Sequence, residues 1–157
     1  MNRKAFTLIE LIFVILLIGV LSAVAVPKFI GMRDNAKITS ELSTAASVQT
    51  ALEACHGEWV INDAPFVCGN GIRSDSADFN ATTGYPVTLG SGDDTPLDKI
   101  LKNGATVHWK KSGENYYGPA SDPQNGTSRC IEGKPCIGKC WRYDSAEGTL
   151  KLQTSGC

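Results

Sequence analysis

The sequence predicts an α+β protein: a long N-terminal helix, membrane-spanning in its first half and amphipathic in its second, packed on a small antiparallel sheet head that disulfides stabilise. Three observations predict it. Residues 6–26 are uncharged except for Glu10. Apolar residues then recur at helical spacing as far as Cys55. The rest of the chain breaks into short strand-like pieces among Gly, Asn, Asp, Ser and Thr, and six cysteines stand at 55, 68, 130, 136, 140 and 157. At 157 residues, with 42% hydrophobic and 20% charged, the chain has room for one globular domain plus an appendage.

The apolar segment comes first. As a helix rising 1.5 Å per residue, 6–26 would extend roughly 31 Å, about the thickness of a bilayer's hydrocarbon core. Arg3 and Lys4 precede it and Lys28, Arg33 and Lys37 follow it, so the distribution of basic residues does not set an orientation. One reading is a secretory signal peptide, with Ala23-Val24-Ala25 as an A-x-A cleavage site and a mature chain beginning at Val26. A second is a plain membrane anchor. The third starts from Glu10, because a carboxylate at the centre of a membrane helix costs about 2.5–3.5 kcal/mol on insertion scales, and less toward its edge. Its helical neighbours Phe6, Thr7, Phe13 and Val14 include no base. A cationic partner must therefore be a chain terminus or belong to another molecule.

Lys4-Ala5-Phe6-Thr7-Leu8-Ile9-Glu10, followed by an apolar run and Pro27, closely resembles the N-terminal signal of type IV pilins and the related pseudopilins of type II secretion. The resemblance covers about the first thirty residues. It implies that a prepilin peptidase cuts between Ala5 and Phe6 and that the new Phe6 amine is N-methylated. It also implies that Glu10 pairs with the amino terminus of a neighbouring subunit during assembly. The residue before the cut is usually Gly in that family and is Ala5 here. A Phe6 ammonium and a Glu10 carboxylate, each poorly solvated in lipid, attract more strongly as the local dielectric falls, although desolvation offsets much of the gain. Register is the property such a pair specifies best.

Beyond Pro27, the positions Ile38, Leu42, Ala45, Val48, Leu52 and Cys55 draw one apolar stripe, with Lys37, Glu41, Gln49 and Glu53 opposite. Gly57 after His56 is the expected helix stop. A helix from Phe6 to Ala54 would be roughly 74 Å long, more than a membrane needs, so its second half must pack on a domain. Pro27 lacks an N–H and Gly31 is a weak helix former, which marks a helix break or kink there. Gly19 and Ser22 permit close helix approach.

The head is expected to carry strands at 59–61, 66–68, 85–89, 106–109, 141–143 and 149–152, the last two joined by a hairpin loop at 144–148. Thr95 as N-cap, Pro96 at the first helical position and Gly104 as stop predict a short helix over 95–103. Long polar loops at 69–84 and 113–129 leave a modest core, which disulfides among Cys55, Cys68, Cys130, Cys136, Cys140 and Cys157 would reinforce. Six cysteines leave the connectivity open; Cys55 with Cys68 could tie the helix end to the first strand. The crowding of Cys130, Cys136, Cys140 and Cys157 resembles the C-terminal disulfide-bounded region of many pilins.

Several chemistries find little support. The spacing of Cys130, Cys136 and Cys140, even with His56 or His108, departs from the usual zinc pattern. Asp93-Asp94, or Asp75 with Asp78, does not match a calcium loop. No nucleophile elbow, phosphate loop or H-E-x-x-H is present. Trp59, Trp109, Trp141 and Tyr116-Tyr117 read as core or subunit-contact residues. The two N-x-T triplets at Asn80 and Asn125 are treated as chance. A formal charge of −1 with scattered Lys and Arg carries no nucleic-acid signature.

The expected organisation is therefore a leader at 1–5, an assembly helix at 6–27, its amphipathic continuation at 28–56 and a head at 57–157. The expected function is a structural subunit of a type IV pilus-like filament, not an enzyme and without cofactors or metal. Its partners would be copies of itself, prepilin peptidase, inner-membrane assembly machinery and, before assembly, the membrane. Such a protein would be a single-pass inner-membrane precursor and then part of an extracellular pilus. The alternatives are the major pseudopilin of a periplasmic type II secretion pseudopilus, and a monomeric exported binding protein released after Ala25.

Overall fold

The structure is a computed structural model that describes residues 6–102, 108–121, 140–153 and 157, with the backbone alone at 28, 30, 31 and 34. In chain order the elements are α1 (Leu8–Ile61), β1 (Val67–Cys68), β2 (Ile72–Arg73), β3 (Phe79–Asn80), β4 (Tyr85–Pro86), β5 (Lys110–Ser112), β6 (Asn115–Tyr117), β7 (Cys140–Asp144) and β8 (Thr149–Gln153). The chain divides into two compact units, Met1–Ala36 and Lys37–Cys157, and α1 supplies residues to both.

In the first unit α1 begins behind Thr7. The Thr7 carbonyl accepts from the N–H groups of Glu10 (3.1 Å) and Leu11 (3.2 Å), and its hydroxyl accepts from Glu10 N–H at 3.4 Å. Thr7 thus satisfies donors that an uncapped helix would leave bare. Every side chain from Phe6 to Pro27 is exposed. Pro27 lies inside the helix, where it removes one backbone donor. The stretch Leu8–Pro27, 20 residues, is long and apolar enough to cross a membrane.

The second unit has its own core. From α1, Ala45, Val48, Leu52 and Cys55 are buried together with Trp141 and Tyr116 of the sheet. The stripe actually used is Glu41, Ala45, Val48, Leu52, Cys55 and half-buried Trp59, at alternating steps of four and three. This corrects the sequence expectation at both ends. Leu42 is 45% exposed, Ile38 is half-buried, and Glu41, expected on the solvent side, is 1% exposed.

The helix also runs past Gly57 to Ile61, so 59–61 is helix and not strand. Interactions beyond the glycine hold these last turns. His56 stacks on Tyr85 with ring centroids 4.5 Å apart, and Trp59 packs against His56 at 5.3 Å. Asn62 then closes the helix, its N–H and Nδ2 both donating to the Glu58 carbonyl at 3.0 and 2.9 Å.

The main sheet is a meander, β5-β6-β7-β8, antiparallel throughout. Tyr116 pairs with Trp141, and Trp141 with Leu152, so bulky side chains stand in line across three strands. The loop at 144–148 joins β7 to β8 as expected. Asp144 Oδ1 accepts from Ala146 N–H (2.8 Å) and Glu147 N–H (3.3 Å), an Asx turn, and Gly148 follows at φ 64°. The ring of Tyr85 lies where a Gly148 side chain would project.

Two small ladders, β1-β2 and β3-β4, occupy the stretch expected to be a long loop at 69–84 and its flanks. The strand expected at 85–89 reduces to Tyr85–Pro86, because Pro86 has no N–H with which to continue the ladder. Of the helix predicted over 95–103, residues 95–102 form turns instead, in which Ile100 N–H and Leu101 N–H donate to the Leu97 carbonyl and Ile100 N–H also to that of Leu89; residue 103 lies outside the described residues. Asp98 is drawn away by Ser91, whose N–H and hydroxyl both donate to its carboxylate at 2.7 and 2.6 Å. Of the strand expected at 106–109, residues 106 and 107 lie outside the described residues, and pairing begins only at Lys110. The expected loop at 113–129 contributes β6 before the described residues pause at Ser121.

Candidate functional site

Two carboxylates stand out, one in each unit. Glu10 is exposed, and among the described residues it makes no ion pair. Around it Phe6 is 81% exposed, and Leu8, Ile9, Phe13 and Ile15 are likewise unpacked. Water solvates such a surface poorly, and a run of this size on a protein marks a contact with lipid or with other chains. Ala5, on the leader side of the expected cut, lies outside the described residues. Gly31, like Pro27, lies within α1.

Glu41 is the opposite case. Its Oε2 accepts from Ala120 N–H (2.8 Å) and Ser121 N–H (3.1 Å). Its Oε1 accepts from Trp141 Nε1 at 2.6 Å and from the Ser121 hydroxyl. Four neutral donors from two separate segments thus enclose one carboxylate, the arrangement a buried anion needs. Gly118 makes the enclosure possible, since a Cβ there would lie 2.5 Å from the Glu41 carboxyl carbon. Two turns further along α1, Gln49 Nε2 donates to the Gly148 carbonyl (3.0 Å) while its Oε1 accepts from Leu150 N–H (3.2 Å). Sequence reasoning placed both residues on the polar face. The signal that could have found Glu41 is its register, four residues before Ala45 and seven before Val48.

Of the cysteines, Cys55 is bonded to Cys68 and Cys140 to Cys157, with Cα separations of 5.3 and 5.8 Å. Cys130 and Cys136 lie outside the described residues. Among the described residues no group of three or more His, Cys, Asp or Glu could hold a metal ion. His56, considered as a ligand, has Nδ1 buried among aromatic rings without a hydrogen-bond partner. A shallow groove of about 330 Å³ beside the sheet is edged by Lys111, Arg142, Glu114 and Asp144, so its charges balance. Burial pushes the Tyr116 hydroxyl up to about 12 and raises that of Tyr143, which donates to the Pro86 carbonyl at 2.6 Å.

A family model described as the prokaryotic N-terminal methylation motif matches residues 1–26. The chain is 49% identical over 51 residues to the type IV narrow pilus major component PilA5 of Thermus thermophilus, covering 32% of this chain and 44% of that one. It is 31% identical over 81 residues to the type IV major fimbrial protein FimA of Dichelobacter nodosus, covering 52% of each. It is 28% identical over 118 residues to the type IV major pilin protein PilE1 of Neisseria gonorrhoeae, covering 69% of this chain and 53% of that one. The matches thus span about half the length of these curated relatives. No solved structure matches the chain.

Proposed function

We propose that this chain, whose N-terminal segment is that of the type IV pilin family, is a structural and not a catalytic protein: a subunit of a type IV pilus filament. Residues 1–5 act as the leader, prepilin peptidase cuts between Ala5 and Phe6, and the Phe6 amine is methylated. The helix over 6–27 then holds the subunit in the inner membrane until the assembly machinery draws it into an extracellular fibre, with 28–56 continuing the helix and the head following. Heterologous contacts repeated from subunit to subunit produce an open polymer of this kind. The relatives described above are pilus and fimbrial components by name, which favours a pilus over a periplasmic pseudopilus.

One observation carries this reading: Glu10 is the sole charge in the otherwise apolar, unpacked segment 6–27, and among the described residues no cation pairs with it. Lipid or sister helices must cover that segment. A carboxylate there is tolerated in the precursor and becomes favourable when the terminal amine of a neighbouring Phe6 approaches. Replacing Glu10→Ala should leave precursor levels in the membrane unchanged and reduce filament yield at least roughly tenfold, since it strands a poorly solvated ammonium. Wild-type yield from this variant would overturn the pairing. Intact mass of the assembled protein provides an independent check: a methylated chain beginning at Phe6 supports the reading, and one beginning at Val26 refutes it.

A further inference from the structure

The second unit poses a question that filament assembly does not answer: how α1 finds its register against the sheet. Its buried apolar positions, Ala45, Val48, Leu52 and Cys55, follow one another at steps of three and four. A slip of one helical turn that brings Val48, Leu52, Cys55 and Trp59 to the places of Ala45, Val48, Leu52 and Cys55 keeps every place apolar, so the stripe alone does not reject it; the opposite slip brings Glu41 to the place of Ala45. The polar contacts discriminate sharply. A slip brings Ile38 or Ala45 to the nest formed by Ala120, Ser121 and Trp141, and its donors are left unpaired. Gln49, two turns on, both donates to the Gly148 carbonyl and accepts from Leu150 N–H; Glu53, one turn away, could accept but would turn a carboxylate toward that carbonyl.

We propose that Glu41 and Gln49 are register pins: they set α1 against the sheet while the cysteines are still reduced, and so deliver Cys55 to Cys68. Polar groups placed singly in an apolar seam serve register better than strength. Geometry makes the delivery matter. The two Cα atoms are 5.3 Å apart in the correct register. A slip of one turn displaces Cys55 by ~5.4 Å, as much as the separation itself, and taken across that separation it would part the two Cα atoms by roughly 7.6 Å, beyond the ~7 Å that a disulfide bridges. Closure itself needs a disulfide oxidant of the glutathione class. The Cys55 thiolate attacks the oxidant's S–S bond and expels one thiolate; the Cys68 thiolate then attacks the Cys55 sulfur and expels the second. The two protein thiols lose two protons and two electrons in total, and the oxidant's disulfide becomes two thiols.

The test uses the full chain in detergent, reduced and then exposed to oxidised glutathione, with alkylation and peptide mapping to follow which cysteine Cys55 joins. Wild type should form Cys55–Cys68 directly. Glu41→Gln turns an amide N–H group toward the donors; it should slow that product roughly tenfold, the equilibrium weight of a hydrogen bond to a charged group, and scatter Cys55 among the other cysteines. Gln49→Ala, which leaves the core intact, should act in the same direction and less strongly, and it carries the test if Glu41→Gln does not fold. Val48→Ala weakens the core without touching the pins, and it should slow closure while preserving the partner. Wild-type rate and pairing in both pin variants would overturn the proposal. So would scattering in Val48→Ala as broad as in Glu41→Gln, because docking strength would then govern pairing. No filament is measured, so the outcome is independent of the pilus reading.

Discussion

At residue scale, the Glu41 nest depends as much on what is missing beside it as on its donors. Gly118 contributes no side chain, and the carboxylate fills the space that one would occupy. Gly118→Ala should therefore destabilise the second unit by about 1–3 kcal/mol, the usual range for overpacking, because the carboxylate is held from four sides and has nowhere to move. A denaturant midpoint unchanged from wild type would show that the nest relaxes freely. Tyr116 offers a test by pH. Burial raises its pKa from 10.0 to about 12, so between those values the folded chain keeps a proton that the unfolded chain releases. Stability from this group is constant below pH 10 and falls as pH rises toward 12, by at most about 2–3 kcal/mol. Denaturant midpoints at pH 8 and 11 should diverge in wild type, and Tyr116→Phe should narrow the gap.

At the scale of elements, legibility followed the length of the pattern. β7 and β8 were readable because Trp141-Arg142-Tyr143 and Thr149-Leu150-Lys151-Leu152 alternate on either side of a turn-forming Asp144…Gly148 loop. β2 and β3 were not, since two residues carry no period; each is defined by its pairing with the adjacent short strand, β1 and β4 respectively. Helix α1 was readable in existence but not in its end. Gly57 signals a stop locally, and packing of Trp59, beyond it, on His56, itself stacked on Tyr85, overrides that propensity. Glu41 was misplaced because a charge was assigned to solvent by type, when its position in the stripe said otherwise. The Cys55–Cys68 bond staples the last turns of α1 to β1 across a sequence separation of 13. Replacing both residues by Ser should cost about 3 kcal/mol, chiefly by freeing the unfolded chain. Amide exchange should accelerate in β1 and β2 more than in β7 and β8, whose ladder does not depend on that bond. Equal acceleration in both regions would show that the second unit opens as one cooperative block.

At the scale of the whole molecule, the two units divide burial unequally. The second encloses its own core, whereas the first leaves Phe6, Leu8, Ile9, Leu11 and their successors open. Fully burying one such side chain is worth about 1.5–3 kcal/mol, so a dozen or so supply on the order of 20–30 kcal/mol toward lipid or toward sister helices. That drive is non-directional; it makes the segment leave water without stating what it should join. On the proposed reading Glu10 supplies the missing direction, because a cation at the right depth would relieve it. The two contributions separate by experiment. A chain beginning at Lys37 keeps the core of the second unit and loses both the apolar segment and Glu10. It should sediment as a monomer without detergent and unfold with a single cooperative transition. The full chain carrying Glu10→Ala keeps the apolar drive, so it should still require detergent or membrane while failing to build ordered fibres. If the shortened chain instead polymerised in water, the information for assembly would reside in the second unit, and the N-terminal helix would be reduced to an anchor.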